Sequence, residues 1–511
     1  MTALVAFLFV TLPWLNPFSP GPTPAVGPFL FSWTCATLLW IVLAFGSLQG
    51  SIRATAKTVA LAWLASAGVS AVIGLLQYFG ITAWAGSWVN HTGLGEAYGN
   101  LRQRNQFATL MNIGLAALLW WVAATQRASA HPVQRRSSLL LALLIGTLLG
   151  AGNAASSSRT GLIQLCLLAL ITWAWQHRAP SMYFHAWRPR PIYQVLLVCL
   201  VAYAVAAMAL PLLAGLDPLN SGAWARLRTG DAACSSRMTL WRNVLHLIAQ
   251  KPWMGWGWGE LDYAHFITLY PGERFCDILD NAHNLPLHLA VELGLPVALL
   301  TCGVAAWLVW RAQPWRESDA TRQLAWSVLA VIGLHSLLEY PLWYGPFQIA
   351  TLLSIWLLWR SSQRRAATPA EHITSRLTFY PQVSAALLLM ALCGFAAREY
   401  QLASQIYLPP QARLADYRDD TQKKIGHVAL FQDQVRFADL TTTELDVQNA
   451  QTVHDLALDM LHFSPEARVV ELVLDSAKLL GHPEEVNFYA ARYKAAFPQA
   501  YAHWLATPGT K

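Results

Sequence analysis

The sequence predicts an all-α protein that crosses a membrane many times and ends in a separate helical domain. Of its 511 residues, 55% are hydrophobic and only 12% are charged, whereas soluble domains contain about 25% charged residues. Long apolar runs recur up to about residue 398, and Lys and Arg are concentrated in alternate connections between these runs. Nucleic-acid binding is not indicated, because the arginines lie in short loops and not along one soluble, aromatic-lined face.

The apolar runs predict about 11 transmembrane helices, or roughly 10–13 because the run boundaries vary by a few residues. Each run is long enough to cross the hydrocarbon core, although the first and the fifth are short. The predicted spans are residues 2–16, 28–47, 58–80, 106–125, 138–154, 160–176, 191–213, 285–310, 323–339, 344–360 and 379–397.

The distribution of Lys and Arg predicts the orientation of the chain. The connections between the apolar runs form two alternating sets, of which one is basic. The short connections of the other set contain only Arg102, Arg104 and Arg159. Because basic residues mark the cytoplasmic side, the N-terminus should be cytoplasmic, and the loop 214–284 and the C-terminal tail should lie on the other side. Every member of the basic set contains Lys or Arg, and its members are residues 48–57, 126–137, 177–190, 311–322 and 361–378.

The composition changes near residue 398, which predicts two domains. Residues 1–398 form the transmembrane domain with the long loop 214–284, and residues 399–511 form a helical domain similar to a short TPR array. Apolar residues recur at helical spacing in Thr452–Leu461, Glu466–Leu480 and Glu484–Ala496. Such a domain could dock a protein or act as a lid, and a role as a folding cap is an equal alternative.

The loop before residue 284 has a helix and a turn of its own. Residues Ser236–Gln250 have the spacing of an amphipathic helix, and residues 251–259 alternate Trp with Gly in a way that predicts a tight turn. Cys234 and Cys276 share this loop. They could form a disulfide if the loop lies outside the cytoplasm, and they would otherwise be two free thiols.

Polar and ionisable residues collect on the predicted outer face of the membrane. Arg104 lies at the outer start of the fourth span, Arg159 at the outer turn between the fifth and sixth spans, and Arg237 within the long outer loop. His335 and Glu339 stand four positions apart, which predicts that they share one helix face near the outer end of the ninth span. Arginine's planar fork suits phosphate oxygens, so this clustering indicates an anionic ligand at the boundary. The alternative is that each arginine extends separately to ordinary lipid headgroups.

His283 lies where the polar loop meets an apolar run. Its imidazole can accept or donate a proton near neutral pH, which makes it the candidate catalytic group. The alternative is a histidine that merely favours a helix N-terminus at the interface. We find no G-x-S-x-G or H-E-x-x-H motif, and the spacing of Asp277 and Asp280 is not specific for a divalent ion. We therefore expect no metal and no cofactor.

These segments together resemble a known family, the O-antigen ligase/polymerase (Wzy-C) superfamily. The segment from His335 to Tyr344 is similar to a narrower branch, the PglL-type bacterial protein O-oligosaccharyltransferases. The likeness extends over residues 80–400. The superfamily motifs are Ser158-Arg159-Thr160-Gly161, then Ser236-Arg237 with Trp241, Lys251-Pro252 and Gly255-Trp256-Gly257, and finally Ala282-His283-Asn284 with Glu292-Leu293-Gly294.

The resemblance implies a GT-C-like helical bundle in the bacterial inner membrane and a metal-independent, inverting glycosyltransferase. The donor would be an undecaprenyl-diphosphate-linked oligosaccharide, and the acceptor would be a Ser or Thr hydroxyl of a periplasmic protein such as pilin. Arg159 and Arg237 would hold the pyrophosphate and His283 would engage the hydroxyl. Further substrate-binding candidates are Arg104, Gln106, Asn284, Glu339 and Tyr344.

One motif departs from the pattern of the branch. Its members commonly have G-Q-x-N near the fourth span, whereas this chain has Arg102-Gln103-Arg104-Asn105-Gln106. Both Gln103 and Gln106 therefore remain candidates for the functional glutamine.

Two alternatives remain open for the function. One is an O-antigen ligase or polymerase that uses a sugar acceptor, against which the tail and the Glu339-Tyr340-Pro341 segment argue mildly. The other is a transporter of lipid-linked glycan. Transporters place broken helices and charges at mid-depth, whereas the unusual residues of this chain gather at one face and no paired repeat is visible.

Overall fold

All regular structure in the described part of the chain is helical, which confirms the predicted all-α class. The computed structural model describes residues 2–46, 51–128, 131–178, 191–229, 233–366, 374–426 and 428–506. Parts of four predicted basic connections, residues 48–50, 129–130, 179–190 and 367–373, lie outside them. The α-helices are α1 (Thr2–Leu15), α2 (Val26–Gly46), α3 (Ile52–Tyr78), α4 (Arg104–Ala128), α5 (Pro132–Ala155), α6 (Arg159–Arg178), α7 (Pro191–Leu213), α8 (Gly222–Thr229), α9 (Arg237–Gln250), α10 (Leu261–Ile267), α11 (Leu285–Leu293), α12 (Leu295–Ala312), α13 (Ala320–Ser336), α14 (Gly345–Ala366), α15 (Thr374–Ser404), α16 (Thr421–Ile425), α17 (Gln432–Thr442), α18 (Ala450–Phe463), α19 (Ala467–Leu480), α20 (Pro483–Ala496) and α21 (Pro498–Ala506).

The protein is a multi-pass membrane protein. Within the described residues, seven helices are long and apolar enough to cross a bilayer, and α1 is a shorter apolar helix. The predicted spans 160–176, 323–339 and 344–360 are also largely helical, as α6, α13 and α14, but they are not among the seven, and α13 ends at Ser336, before the predicted end of its span. The count of about 11 therefore stays a prediction. The seven are Val26–Ala44, Ile52–Tyr78, Arg104–Gln126, Pro132–Ala155, Pro191–Leu213, Leu295–Arg316 and Tyr380–Tyr407.

The predicted span 285–310 is wrong at its start. The run consists of two helices, α11 and α12, which are separated at Gly294. Gly294 has a φ of 87°, and a Cβ atom there would overlap the carbonyl oxygen of Trp253. Because the backbone of the Trp/Gly turn approaches this closely, only glycine fits and the helix breaks. The Leu295 N–H then donates to the carbonyl of Pro252 at 2.8 Å.

Two compact units make up the chain. The first comprises Met1–Gly230 and Val309–Gly394, and the second comprises Asp231–Leu308 and Phe395–Lys511. The loop helices α9–α11 thus group with the tail. Phe266 of α10 packs in the apolar core of the C-terminal helices, and Arg492 of α20 donates to the carbonyl of Ile267 at 2.8 Å. The predicted division into residues 1–398 and 399–511 stays a prediction.

The core of the first unit surrounds α4. Most of this helix is buried, and Phe107, Leu110 and Met111 are fully buried within it. Small residues allow the neighbouring backbones to approach, as where Gly114 of α4 faces Ala67 of α3. A helix buried on all sides can carry polar side chains to partners on several neighbours, and α4 does so at its N-terminal end.

The helices of the tail begin and end close to the predicted positions. Segments Thr452–Leu461, Glu466–Leu480 and Glu484–Ala496 correspond to α18, α19 and α20. Proline at the first position of α20 has the fixed φ that suits a helix start. Gly481 ends α19 in the left-handed conformation, with φ 73°.

Candidate functional site

His283 has an uncommon backbone conformation. It has a φ of 49°, in the left-handed region that few non-glycine residues adopt. Its N–H donates to Asn281 Oδ1 at 2.8 Å, and the next residue, Asn284, caps α11 by accepting from the Leu287 N–H at 3.1 Å. These contacts hold the histidine at the turn between the loop and α11, half-buried. A strained residue held in place by its surroundings is a candidate for function.

Arg237 lies on a helix that packs against the same turn. It is the first residue of α9, and Ser236 caps that helix by accepting from the Thr239 N–H at 3.2 Å. Leu240 and Val244 of α9 pack with Val291 of α11. Because α9 and α11 share this core, they hold Arg237 and the His283 turn within one unit.

The indole of Trp241 ties α9 directly to the His283 turn. Its Nε1 donates to the carbonyl of Ala282 at 3.1 Å. The residue before the turn, Asp280, has its pKa raised above the ordinary carboxyl value by burial, which the charge of His283 partly opposes. Asp280 is therefore a buried acid that lies within electrostatic reach of His283.

The loop also contains a disulfide between Cys234 and Cys276, whose Cα atoms are 5.2 Å apart. The Cys276 N–H additionally donates to the Cys234 carbonyl at 3.2 Å. The bridge joins the segment before α9 to the segment that leads to His283. It therefore restrains the loop that carries both Arg237 and His283.

A buried polar network occupies the N-terminal end of α4 in the first unit. Both carboxylate oxygens of Glu339 accept amide hydrogen bonds, from Asn105 Nδ2 at 3.0 Å and from Gln103 Nε2 at 3.2 Å. Asn105 Oδ1 accepts in turn from Ser158 Oγ at 2.6 Å. The network thus connects the start of α4, the turn before α6 and the segment after α13.

Glu339 does not share a helix with His335, contrary to the prediction. Helix α13 ends at Ser336, and Glu339 lies in the turn that follows. The Glu339 N–H donates to the His335 carbonyl at 2.8 Å. The two residues are still close along the chain, but the turn directs Glu339 to the α4 amides.

His335 belongs to a second, deeper part of the network. Its Nδ1 lies 2.9 Å from Thr109 Oγ1, and the Thr109 hydroxyl donates to the Asn105 carbonyl at 2.8 Å. Thr109 Oγ1 also accepts from the side-chain amide of Gln164 on α6 at 2.9 Å, so this hydroxyl joins the His335 ring to both α4 and α6. The other ring nitrogen of His335, Nε2, is buried and has no hydrogen-bond partner in the described part of the chain.

Sequence reasoning missed the central amide of this network. Asn105 joins Glu339 to Ser158, and Gln103, not Gln106, reaches the carboxylate. Gln106 is 1% exposed, and its Nε2 has no partner among the described residues. The prediction of Gln106 as a substrate ligand stays a prediction. The signal that could have found Asn105 is an amide at the start of a helix that is otherwise apolar.

The other predicted site residues belong to the first unit. Arg104 Nη2 pairs with Glu96 Oε1 at 3.2 Å and also lies 3.4 Å from the Tyr98 hydroxyl. Arg159 begins α6 and is half-buried. Tyr344 is half-buried and stacks on Tyr340, with ring centroids 5.9 Å apart. Their roles as substrate ligands stay predictions.

Three known families match separate parts of the chain. The O-antigen ligase family matches residues 140–302, which include Arg159, Arg237 and His283. The protein glycosylation ligase family matches residues 97–122, the segment with Gln103 and Asn105. Over these two segments the chain is similar to both families. A third family of this kind, described as the C-terminal part of a virulence factor membrane-bound polymerase, matches residues 323–509.

Two curated proteins that are similar to this chain come from Acinetobacter baylyi strain ADP1. The chain is 26% identical to a general O-oligosaccharyltransferase over 255 aligned residues. This alignment covers 49% of this chain and 41% of that protein. The chain is 24% identical to a ComP-specific O-oligosaccharyltransferase over 260 aligned residues. This alignment covers 50% of this chain and 42% of that protein. The matched part is less than half of the length of each relative.

Proposed function

We propose that this protein transfers a glycan en bloc from an undecaprenyl-diphosphate-linked donor to Ser or Thr hydroxyls of periplasmic proteins such as pilins. The likeness to two O-oligosaccharyltransferases carries the proposal for the reaction. The strained backbone of His283, within the O-antigen ligase match, supports its assignment as the catalytic residue.

In the proposed mechanism, a neutral His283 imidazole accepts the proton of the acceptor hydroxyl as its oxygen attacks the anomeric carbon. The bond between that carbon and the pyrophosphate oxygen breaks, and the pyrophosphate leaves with the bonding electrons. Arg159 and Arg237 stabilise the departing charge through charge-assisted hydrogen bonds, so that no metal is required. Direct displacement inverts the configuration at the anomeric carbon.

The same proposal places the protein in the bacterial inner membrane. The N-terminus is cytoplasmic, and the transfer site and the helical domain 399–511 are periplasmic, as the positions of the basic connections favour. The disulfide between Cys234 and Cys276 supports this orientation, because disulfides persist in oxidising compartments. The lipid-linked donor would reach the site from the bilayer and the acceptor from the periplasm.

The decisive experiment supplies the purified full-length chain with a lipid-linked oligosaccharide and a pilin acceptor. We expect the pilin to gain the intact glycan, which a mobility shift and mass spectrometry detect. Unmodified pilin beside elongated or lipid A-linked glycan would instead support the sugar-acceptor alternative, which the O-antigen ligase and polymerase matches keep open. Movement of the donor across vesicles without any transfer would support a transporter.

A further inference from the structure

Three side chains of the metal-ligand type meet between two helices of the tail. His454 lies on α18, His482 precedes α20 as its N-cap, and Glu485 lies in the first turn of α20. Glu485 Oε2 is 3.2 Å from His454 Nε2 and 3.1 Å from His482 Nδ1. One ligand atom from each of the three residues lies within 4.8 Å of the other two. These residues are not among those assigned to glycan transfer.

The hydrogen bonds of Ser476 determine which nitrogen of His454 faces the cluster. The Ser476 hydroxyl donates to the Leu472 carbonyl at 2.6 Å, so its oxygen accepts from His454 Nδ1 at 2.9 Å. His454 therefore carries its proton on Nδ1 and turns the Nε2 lone pair toward Glu485. Metal-bound histidines usually have such a partner on the other ring nitrogen, which fixes the tautomer.

This arrangement leaves two acceptors facing each other. The Nε2 lone pair of His454 and the Glu485 carboxylate are 3.2 Å apart, with a side-chain exposure of only 4% at the histidine. Lone pairs at that distance require a cation between them, either a metal ion or an additional proton. A second histidine aimed at the same carboxylate oxygen favours the metal, because one ion satisfies all three groups.

The distances suit zinc. Zn²⁺ binds histidine nitrogen and carboxylate oxygen at about 2.0–2.2 Å in tetrahedral geometry, which separates ligand atoms by about 3.3–3.6 Å. The two separations from the Glu485 oxygen, 3.1 and 3.2 Å, need only a small opening of the cluster, and all three ligand atoms lie within 4.8 Å of one another. Two histidines with one carboxylate are a known zinc ligand set, and they leave the fourth position to water or to another ligand.

We propose that His454, His482 and Glu485 form a Zn²⁺ site that joins α18 to the start of α20 in the C-terminal helical domain. His482 and Glu485 are 47% and 36% exposed, so the ion enters from the surface and its fourth position faces solvent. Because the ligands come from two helices, the bound ion stabilises their packing.

The test uses the full-length chain, purified in detergent with an affinity tag that contains no histidine and stripped of metal with a chelator. Titration with Zn²⁺ against a coloured competitor should reveal one saturable site, and Co²⁺ should give the visible absorption of a tetrahedral complex. His482→Gln and Glu485→Gln should abolish both signals. Ser476→Ala should weaken Zn²⁺ binding by about 10–100-fold, because it releases the ring that binds the metal.

Two matched variants separate the site from general surface binding. Glu484→Gln removes the neighbouring exposed carboxylate, and His462→Gln removes a histidine that pairs with a single carboxylate, Glu260, at 2.7 Å. Both should bind Zn²⁺ as the wild type does. Zn²⁺ should also raise the unfolding midpoint of the wild type but not that of His482→Gln. Equal affinity in the wild type and in His482→Gln, or no saturable binding by the wild type, would overturn the proposal and favour a proton between His454 and Glu485.

Discussion

Asn105 Nδ2 donates to Glu339 Oε1 at 3.0 Å, which joins residues 234 positions apart in the chain. Gln103 completes the arrangement by donating to the other carboxylate oxygen at 3.2 Å. Glu339 is 4% exposed, and a carboxylate buried to that degree is stable only when its oxygens are paired. The start of α4 and the segment after α13 therefore depend on each other.

This dependence predicts the effect of Glu339→Gln. Glutamine keeps the shape but replaces one accepting oxygen with an NH₂ group, which then faces an amide donor. We expect a loss of about 1–3 kcal/mol in the free energy of unfolding, the cost of leaving buried polar groups unpaired. Thermal unfolding in detergent measures it, and the exposed Glu484→Gln serves as the control. Equal stability in both variants would contradict the buried network.

His283 can be tested without disturbing its backbone. Asparagine tolerates the left-handed conformation better than alanine does, so His283→Asn should fold like the wild type. If the imidazole is the general base, transfer to the acceptor should fall by about 10²–10⁴-fold. His283→Ala lacks a polar side chain that favours the left-handed conformation, so it should be less stable than His283→Asn. An asparagine variant that transfers glycan at the wild-type rate would remove His283 from the mechanism.

The pyrophosphate assignment predicts that Arg159 and Arg237 need their guanidinium groups and not only their charge. Arg159→Lys and Arg237→Lys retain a cation but lose the two-pronged contact with phosphate oxygens. Each should raise the apparent KM for the lipid-linked donor about tenfold or more, since a charge-assisted hydrogen bond contributes roughly 1.5–3 kcal/mol. Arg242→Lys, an exposed position on the same helix as Arg237, should change nothing. Unchanged donor kinetics in both site variants would refute the assignment.

The disulfide should make a measurable contribution to stability. Cys234 and Cys276 are 42 positions apart. Closing a loop of that length lowers the entropy of the unfolded chain by an amount equivalent to about 4 kcal/mol. The double variant Cys234→Ser/Cys276→Ser should therefore unfold at a lower temperature, and reductant should lower the midpoint of the wild type alone. Cys166→Ser, at an exposed free cysteine, is the matched control. A midpoint that does not respond to reductant would indicate free thiols.

Asp262 should make the stability depend on pH. Burial raises the pKa of its carboxyl from 3.8 to about 7, an effect to which the nearby charges of Glu260 and Asp280 add. The folded protein then binds a proton that the unfolded chain has released, so this group's contribution to stability falls as the pH rises from about 4 to 7. The difference in the free energy of unfolding between Asp262→Asn and the wild type should therefore increase in favour of the variant as the pH rises. The increase should be at most about 1.4 kcal/mol per pH unit.

Comparing Asp262→Asn with the wild type also removes the contribution of His265, whose effect on stability has the opposite pH dependence. Burial lowers the pKa of His265 to about 3, so that histidine stabilises the fold as the pH rises toward its unfolded value of about 6.5. His265 is present in both proteins, and its contribution drops out of the difference. Unfolding midpoints from pH 4 to pH 8 provide the measurement. A constant difference between the two proteins would show that Asp262 titrates normally.

Much of the fold could be predicted because it depends on local patterns. Helix α9 and helices α18–α20 followed from apolar residues at helical spacing, since one face of each packs against neighbouring helices. The break at Gly294 could not be predicted, because apolar residues continue on both sides of it. The carbonyl of Trp253, which belongs to a different segment, approaches the backbone there and breaks the helix.

The same distinction applies to the sites. The sequence by itself determined the all-helical class, the membrane-spanning character and the candidate residues Arg159, Arg237 and His283, because composition and short motifs are local properties of the chain. Only the tertiary structure decided that Asn105 and Gln103 hold Glu339, and that His454 meets Glu485. Such contacts join distant positions, and they depend on how helices pack and in which direction each side chain points.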